Sequence, residues 1–365
     1  MPCLFTPGMN TFNRNTSNPD VPALADELLE AIAESSHILA VIKGSPDPDA
    51  IAAAYTFRQI AEKAGRQVIV ESEQQPSLPQ NQRIITDLHL PIRYDAVGDA
   101  VRFFDAYAVF DHQSVQVEGV TGIIPCTVHI DHHQEADTQL PVRFRWVCEK
   151  AGSTSTLIAL LLEYLINLQN WSAAEEQKAC TALYFGMYTD TDHFAHLSEL
   201  DRRALAYLEP RTDLAFVKRL SSLPFPRPAL GYLERAMQNQ EIYRDWLITG
   251  TGFVDSQHRD TIALIADFLL QRHQVGMVIV FALIRQDGQL RLDAAFRCPD
   301  KDFDLDKLVK RFSAAGGGRS FKGAFQVDLS YFSDTPHPIL LWQMVRLTTT
   351  AKIKYQRDQL DSRPL

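Results

Sequence analysis

Four short segments of the chain combine carboxylates and imidazoles in a pattern that could hold divalent metal ions. Ser45-Pro-Asp47-Pro-Asp49 follows an apolar run and presents two carboxylates two positions apart. Pro48 between them restricts the backbone and presets the pair. Asp111-His112 and Asp131-His132-His133 each close another apolar run, and Tyr188-Thr-Asp190-Thr-Asp192-His193 closes a long helical pattern. Imidazole plus carboxylate suits Mn2+, Fe2+ or Zn2+. Two such ions about 3.5–4 Å apart would activate a water and grip a phosphoryl oxygen, which is the chemistry of phosphoester or phosphoanhydride hydrolysis. Each segment alone has a plainer reading. Asp-Pro-Asp is a good turn and Asp49 a good helix N-cap. A histidine pair is common in surface loops, and the Asp190 segment would serve as a polar loop after a helix. The combination separates the readings, because converging acids repel one another unless cations neutralise them.

The elements that must position these segments follow from periodicity. Apolar, β-branched runs predict strands at 37–43, 67–71, 106–111 and 126–131, alternating with helices at 22–34 and 50–64. That alternation predicts a parallel α/β sheet with helices on both faces. Three of the acid segments then fall at carboxyl ends of strands, where such sheets gather ligands. Helical patterns continue at 154–168, 173–187, 199–208 and 227–244, interrupted by three prolines within 223–228. Beyond them, strands at 245–254, 276–284, 290–297 and 324–329 and helices at 261–272, 304–313 and 339–349 form a second, smaller α/β domain. The predicted division is a loose 1–20, a domain at 21–222, a linker region at 223–243 and a second domain at 244–365.

Composition narrows the class. A length of 365 residues suits two domains. With 45% hydrophobic and 22% charged residues the chain is globular rather than disordered. The longest apolar run, 275–284, is too short for a bilayer, and the first cation is Arg14, unlike a secretion signal. Five scattered cysteines without a CxxC pair argue against disulfides and zinc and fit a cytoplasmic protein. The net charge of −9 argues against long duplex nucleic acid as a partner. Residues 291–322 reverse the sign, with eight Lys/Arg against five Asp, and could receive a small anion or simply form a solvated mixed-charge face.

The order Asp-x-Asp, Asp, Asp-His-His, Thr-Asp-Thr resembles the DHH phosphoesterase superfamily, which contains RecJ-type exonucleases, nanoRNase (oligoribonuclease/pAp-phosphatase) proteins, cyclic-dinucleotide phosphodiesterases and family II pyrophosphatases. Ala314-Ala-Gly316-Gly317-Gly318-Arg319, with Arg297 upstream, resembles the glycine-rich signature of a DHHA1 domain. The resemblance thus covers nearly the whole chain from about His37 and points to the nanoRNase-like branch. It implies that Asp49, Asp111, His132 and Asp190 hold one Mn2+-type ion, and that Asp47 and Asp111 hold another. It also implies that Asp131 orients an imidazole, that His133 faces the substrate phosphate, and that Gly316, Gly317, Gly318, Arg319 and Arg297 bind the substrate. The sequence departs from the family pattern at Lys43, where a metal-binding histidine is usual, at Pro48 and at Arg319. Lys43 leaves the Asp47 position open: weakly held, completed by His112, or replaced by the ammonium itself. The implied activity is metal-dependent hydrolysis of short oligonucleotides, pApA-like dinucleotides or pAp, with one or two Mn2+ or other divalent ions per chain, no membrane partner, and a homodimer as an open option. The alternatives are a nucleotide-binding protein with a degraded metal site and a pyrophosphate or polyphosphate hydrolase.

Overall fold

The computed structural model describes residues 15–362 apart from 77, 95–100, 134–139, 223–226, 287, 301, 315 and 319–320. Two compact units divide the chain, Met1–Leu223 and Pro224–Leu365.

The first unit is built on a sheet of β1 (His37–Ile42), β2 (Gln67–Ser72), β3 (Ile92–Arg93), β4 (Ala106–Phe110), β5 (Cys126–Asp131) and β6 (Val142–Val147). All pairings are parallel, in the order β3-β2-β1-β4-β5-β6. Strands β1, β4 and β5 are buried almost throughout, as strands covered on both faces must be. Ile38, Ala40 and Ile42 face a core shared with α1 (Val21–Ala33), α2 (Pro48–Lys63), α4 (Thr154–Leu165), α5 (Ala173–Asp190) and α6 (Glu199–Leu208). Helices α3 (Pro79–Asp87) and α7 (Leu214–Ser221) complete the unit. The opposite face of the sheet carries Leu39, Val41 and Val109. Among the described residues it is sealed by the 3-10 turn Val101–Phe103 and the loop after β4, whose Val115, Val117 and Val120 pack on Leu39, Val41 and Val109.

Local signals set the helix starts. Asp20 caps α1, Ser153 caps α4, and Ser172 with Glu175 forms a capping box on α5. Asp47, not Asp49, caps α2, with Pro48 in the first helical turn. That shift frees the Asp49 side chain.

In the second unit, β7 (Glu241–Tyr243), β8 (Trp246–Asp255), β9 (Met277–Gln286), β10 (Gln289–Arg297), β11 (Gly317–Gly318) and β12 (Lys322–Asp328) form a mixed sheet in the order β11-β12-β10-β9-β8-β7. Among the described residues only the β8/β9 pair is parallel there. Helices α8 (Arg227–Asn239) and α9 (Thr261–Arg272) cover one face; α10 (Leu305–Lys310) and α11 (Pro338–Ser362) cover the other. The expected linker at 223–243 is largely α8 and β7, with Tyr232 and Ala236 buried in the second unit's core. The expected helix at 227–244 stops at Asn239, whose side chain bonds the Arg235 and Gly250 carbonyls. Helix α11 runs 13 residues beyond the expected end at 349, and Ile353 in that stretch is still buried in the second unit's core.

Gly186 marks the closest approach of α5 to α2. A Cβ there would stand 2.4 Å from Ser155 Oγ and 3.0 Å from both Asp49 Cα and the Pro48 carbonyl. Gly186→Ala should therefore destabilise the protein by about 1–3 kcal/mol through overpacking, read as a lower thermal or denaturant midpoint. An unchanged midpoint would mean that the two helices do not meet this closely.

Candidate metal centre

The parallel sheet brings the carboxyl ends of β1, β4 and β5 side by side. The chain leaves β1 towards β2 and resumes at β4 on its other flank, so the strand order reverses between β1 and β4. Open α/β sheets form their ligand crevice at such a point. Asp49 stands in the first turn of α2, Asp111 directly after β4, Asp131 to His133 at the end of β5, and Asp190 at the last turn of α5.

These groups converge on one ring. His132 Nε2 lies 3.2 Å from Asp111 Oδ1, 3.3 Å from Asp190 Oδ2 and 3.7 Å from Asp49 Oδ2. Two overlapping donor sets result, Asp49/His132/Asp190 and Asp111/His132/His133, each with ligand atoms within 4.8 Å of one another. One imidazole nitrogen and three carboxylates, nearly all removed from solvent, fit a divalent ion of the Mn2+ kind. The repulsion expected of such a cluster is visible. Burial, with the charges of Asp111 and Asp190, pushes the Asp49 carboxyl up to about 8. Burial and the charges of Asp111, Asp190 and Asp49 likewise raise Asp47 well above the usual range.

The fold supplies counterweights. Asp49 accepts the backbone N–H groups of Thr154 and Ser155 at 2.7 Å each, so its carboxylate sits on the N-terminus of α4, where N–H groups and helix dipole favour negative charge. Thr154 Oγ1 donates to Asp111 Oδ1 at 3.0 Å. Asp131 is fully buried, and burial opposes its charge, yet the hydrogen bond and charge of His133 hold it well below the usual carboxylate range. It accepts the backbone N–H of His132 at 2.8 Å and that of His133 at 3.2 Å, and it bonds His133 Nδ1 at 2.7 Å. Asp111 has a φ of +53°, a left-handed conformation that a non-glycine residue holds only where its surroundings enforce it. His129 is one enforcer. Its fully buried ring reaches from β5 to the His112 carbonyl, with Nε2 at 2.9 Å.

The remaining predicted residues lie outside the two donor sets, Asp47 close enough to feel the charges of Asp111, Asp190 and Asp49. Asp47 accepts the Ala50 N–H at 2.9 Å as the α2 cap and belongs to neither donor set. Lys43 Nζ donates to the carbonyls of Ser114 at 3.2 Å and Gln116 at 2.5 Å, in the loop after β4. His112 Nδ1 lies 3.0 Å from the Ser114 backbone N; burial and the Lys43 charge lower its pKa, and it too is outside both sets. Arg297, expected to grip a phosphate, is instead forked onto Asp267 at 2.5 and 3.1 Å and is 8% exposed. The glycine run has a packing reason. A Cβ at Gly316 would meet Phe325 and Val309 at 2.9 Å, and one at Gly318 would meet the Lys322 carbonyl at 2.9 Å. The Gly318 N–H donates to Asp306 at 3.1 Å. Arg319 lies outside the described residues. Sequence reading did not single out His129, Thr154, Ser155 or Gly186. Only the Ser153-Thr-Ser-Thr stretch carried a signal, that of a helix start.

Residues 37–187 match the model of the DHH family, N-terminal domain. An uncharacterized protein of Methanocaldococcus jannaschii is 24% identical over 311 residues, covering 85% of this chain and 62% of its own length. The chain thus spans less than two thirds of that relative. Two solved structures share the fold. An exopolyphosphatase-related protein from Bacteroides fragilis superposes with a TM-score of 0.64 at 14% identity, covering 91% of this chain and 98% of its own. RecJ in complex with Mn2+ from Thermus thermophilus gives 0.51 at 12% identity, covering 94% of this chain and 56% of its own.

The His129 contact is testable. His129→Phe should weaken Mn2+ binding by roughly ten-fold or more in calorimetry, as losses of groups that orient ligands commonly do. His129→Gln, whose amide nitrogen can occupy the place of Nε2, should recover most of it. Equal affinity in the Phe variant would show that the Asp111 turn needs no such support.

Proposed function

We propose that the chain is a metal-dependent phosphoesterase of the DHH type, acting on small phosphorylated nucleotides such as short oligonucleotides, pApA-like dinucleotides or pAp. The observation that carries the reading is the convergence of Asp49, Asp111 and Asp190 on His132 Nε2 at the strand-order reversal. Asp49, Asp111, His132 and Asp190 would hold a divalent ion, Mn2+ being the one bound by the RecJ structure of the same fold. When bound, such an ion supplies a water of lowered pKa and positive charge for a phosphoryl oxygen. His133 is the more open ring of the pair, its side chain 23% exposed against 1% for His132. With Nδ1 bonded to Asp131, its Nε2 is the atom that would address the substrate phosphate, and Asp131 orients the ring. The preference for a nucleotide rests on the resemblance of 314–319 to a DHHA1 segment. Among the described residues no helix is long and apolar enough to cross a membrane, and Cys126, Cys148, Cys180 and Cys298 are free and buried. Both features accord with a cytoplasmic site of action.

Purified protein with Mn2+ should turn over pApA or pAp faster than pyrophosphate or polyphosphate, and Asp190→Asn should lose roughly 100-fold or more of that rate. Faster attack on the inorganic substrates would favour the polyphosphate reading. Absence of turnover in folded protein would remove the enzymatic one.

A second reading, nucleotide binding without hydrolysis, is motivated by Lys43, because a protonated amine cannot ligate a metal. On our reading the chain holds one ion, centred on His132. Lys43→His should then raise the Mn2+ count by plasma emission spectroscopy from one to two per chain. A wild-type count of two, or no change in the variant, would contradict this assignment.

A further inference from the structure

Helix α11 carries two apolar seams, and the fold uses only one. Leu341, Val345, Thr349 and Ile353 recur every four residues and are buried, the hydrophobic members of the set lying in the second unit's core. About one residue round the helix, a second seam faces outward. Leu340 is 62% exposed, Met344 43%, Leu347 62% and Tyr355 59%, with Ala351 open between the last two. The spacing of 4, 3, 4 and 4 residues is close to the heptad alternation of helices that pair along their length. A monomeric surface seldom leaves a continuous apolar stripe of this length uncovered.

We propose that this seam pairs two copies of the chain, antiparallel, about a two-fold axis between Leu347 and Thr348. The register follows from the residues. With that axis, Leu340 meets Tyr355 and Met344 meets Ala351, so large side chains face small or flat ones at both ends of the contact. A parallel pairing would instead set Met344 on Met344 and Tyr355 on Tyr355, bulk against bulk at both ends of the contact. A two-fold contact must be self-complementary, and in the antiparallel register large side chains of this stripe meet small or flat ones. From Leu340 to Tyr355 the contact runs about 22 Å at the helical rise. The large apolar side chains, with Ile339 at 75% exposure, offer roughly 600 Å2 per copy. The exposed Gln343 and Thr348 beside the seam bring this towards the ~800 Å2 per partner of a standard interface.

Sedimentation velocity of the full chain at micromolar concentration should give twice the 41.2 kDa chain mass. Leu347→Glu should sediment at the single-chain mass with an unchanged melting temperature, because that side chain is already exposed in one chain. In the Thr348→Cys variant a short bis-maleimide should join two chains. In Leu340→Cys, whose two copies would lie about 22 Å apart, it should not. A wild-type monomer, or a dimer that persists in Leu347→Glu, would overturn the proposal. Cross-linking at 340 in place of 348 would overturn the antiparallel register.

Discussion

Mutual repulsion among buried carboxylates is the constraint around which the first unit is organised. Asp49 and Asp131 are fully removed from solvent, and Asp111 and Asp190 nearly so. Holding such charges out of water is costly unless fixed dipoles and counter-charges surround them. The architecture provides these one by one. The first turn of α4 gives two N–H groups to Asp49, His133 and two backbone N–H groups satisfy Asp131, and His132 stands among the other three. What these contacts leave uncompensated is seen in the raised Asp49 and Asp47.

The same constraint explains features that are unusual by local rules. Asp111 takes a left-handed backbone that strand residues avoid. Gly186 lets α5 come within contact of the Pro48–Asp49 backbone, which places Asp190 at the cluster. Asp47 takes over the capping of α2, so that Asp49, two residues on, can turn to α4. Each device trades local preference for the position of one carboxylate, a pattern typical of functional sites.

In the second unit, Arg297, Gly316 and Gly318 each have a packing partner within the unit. Arg297 lies on a buried strand, where an unpaired guanidinium would be costly, and Asp267 on α9 meets it. Gly316 and Gly318 are small because Phe325, Val309 and the β12 backbone press on them. Glycine in such a place reports close packing as readily as ligand approach.

The strands, most helix spans and the acid and imidazole groups at strand ends were legible in the chain, because burial of alternating elements leaves a periodic apolar signature. Glu199–Leu208 and Thr261–Arg272 lie where periodicity puts them. The brief strands Ile92–Arg93 and Glu241–Tyr243 are too short to carry such a signature. By itself, the order of residues determined which groups could act and which sheet edge they would share. Tertiary structure alone decided that Asp49, Asp111 and Asp190 meet on His132 while Asp47 stays a helix cap, and that Arg297 is committed to Asp267. Those outcomes depend on distances between segments far apart in the chain, which residue spacing along one segment does not encode.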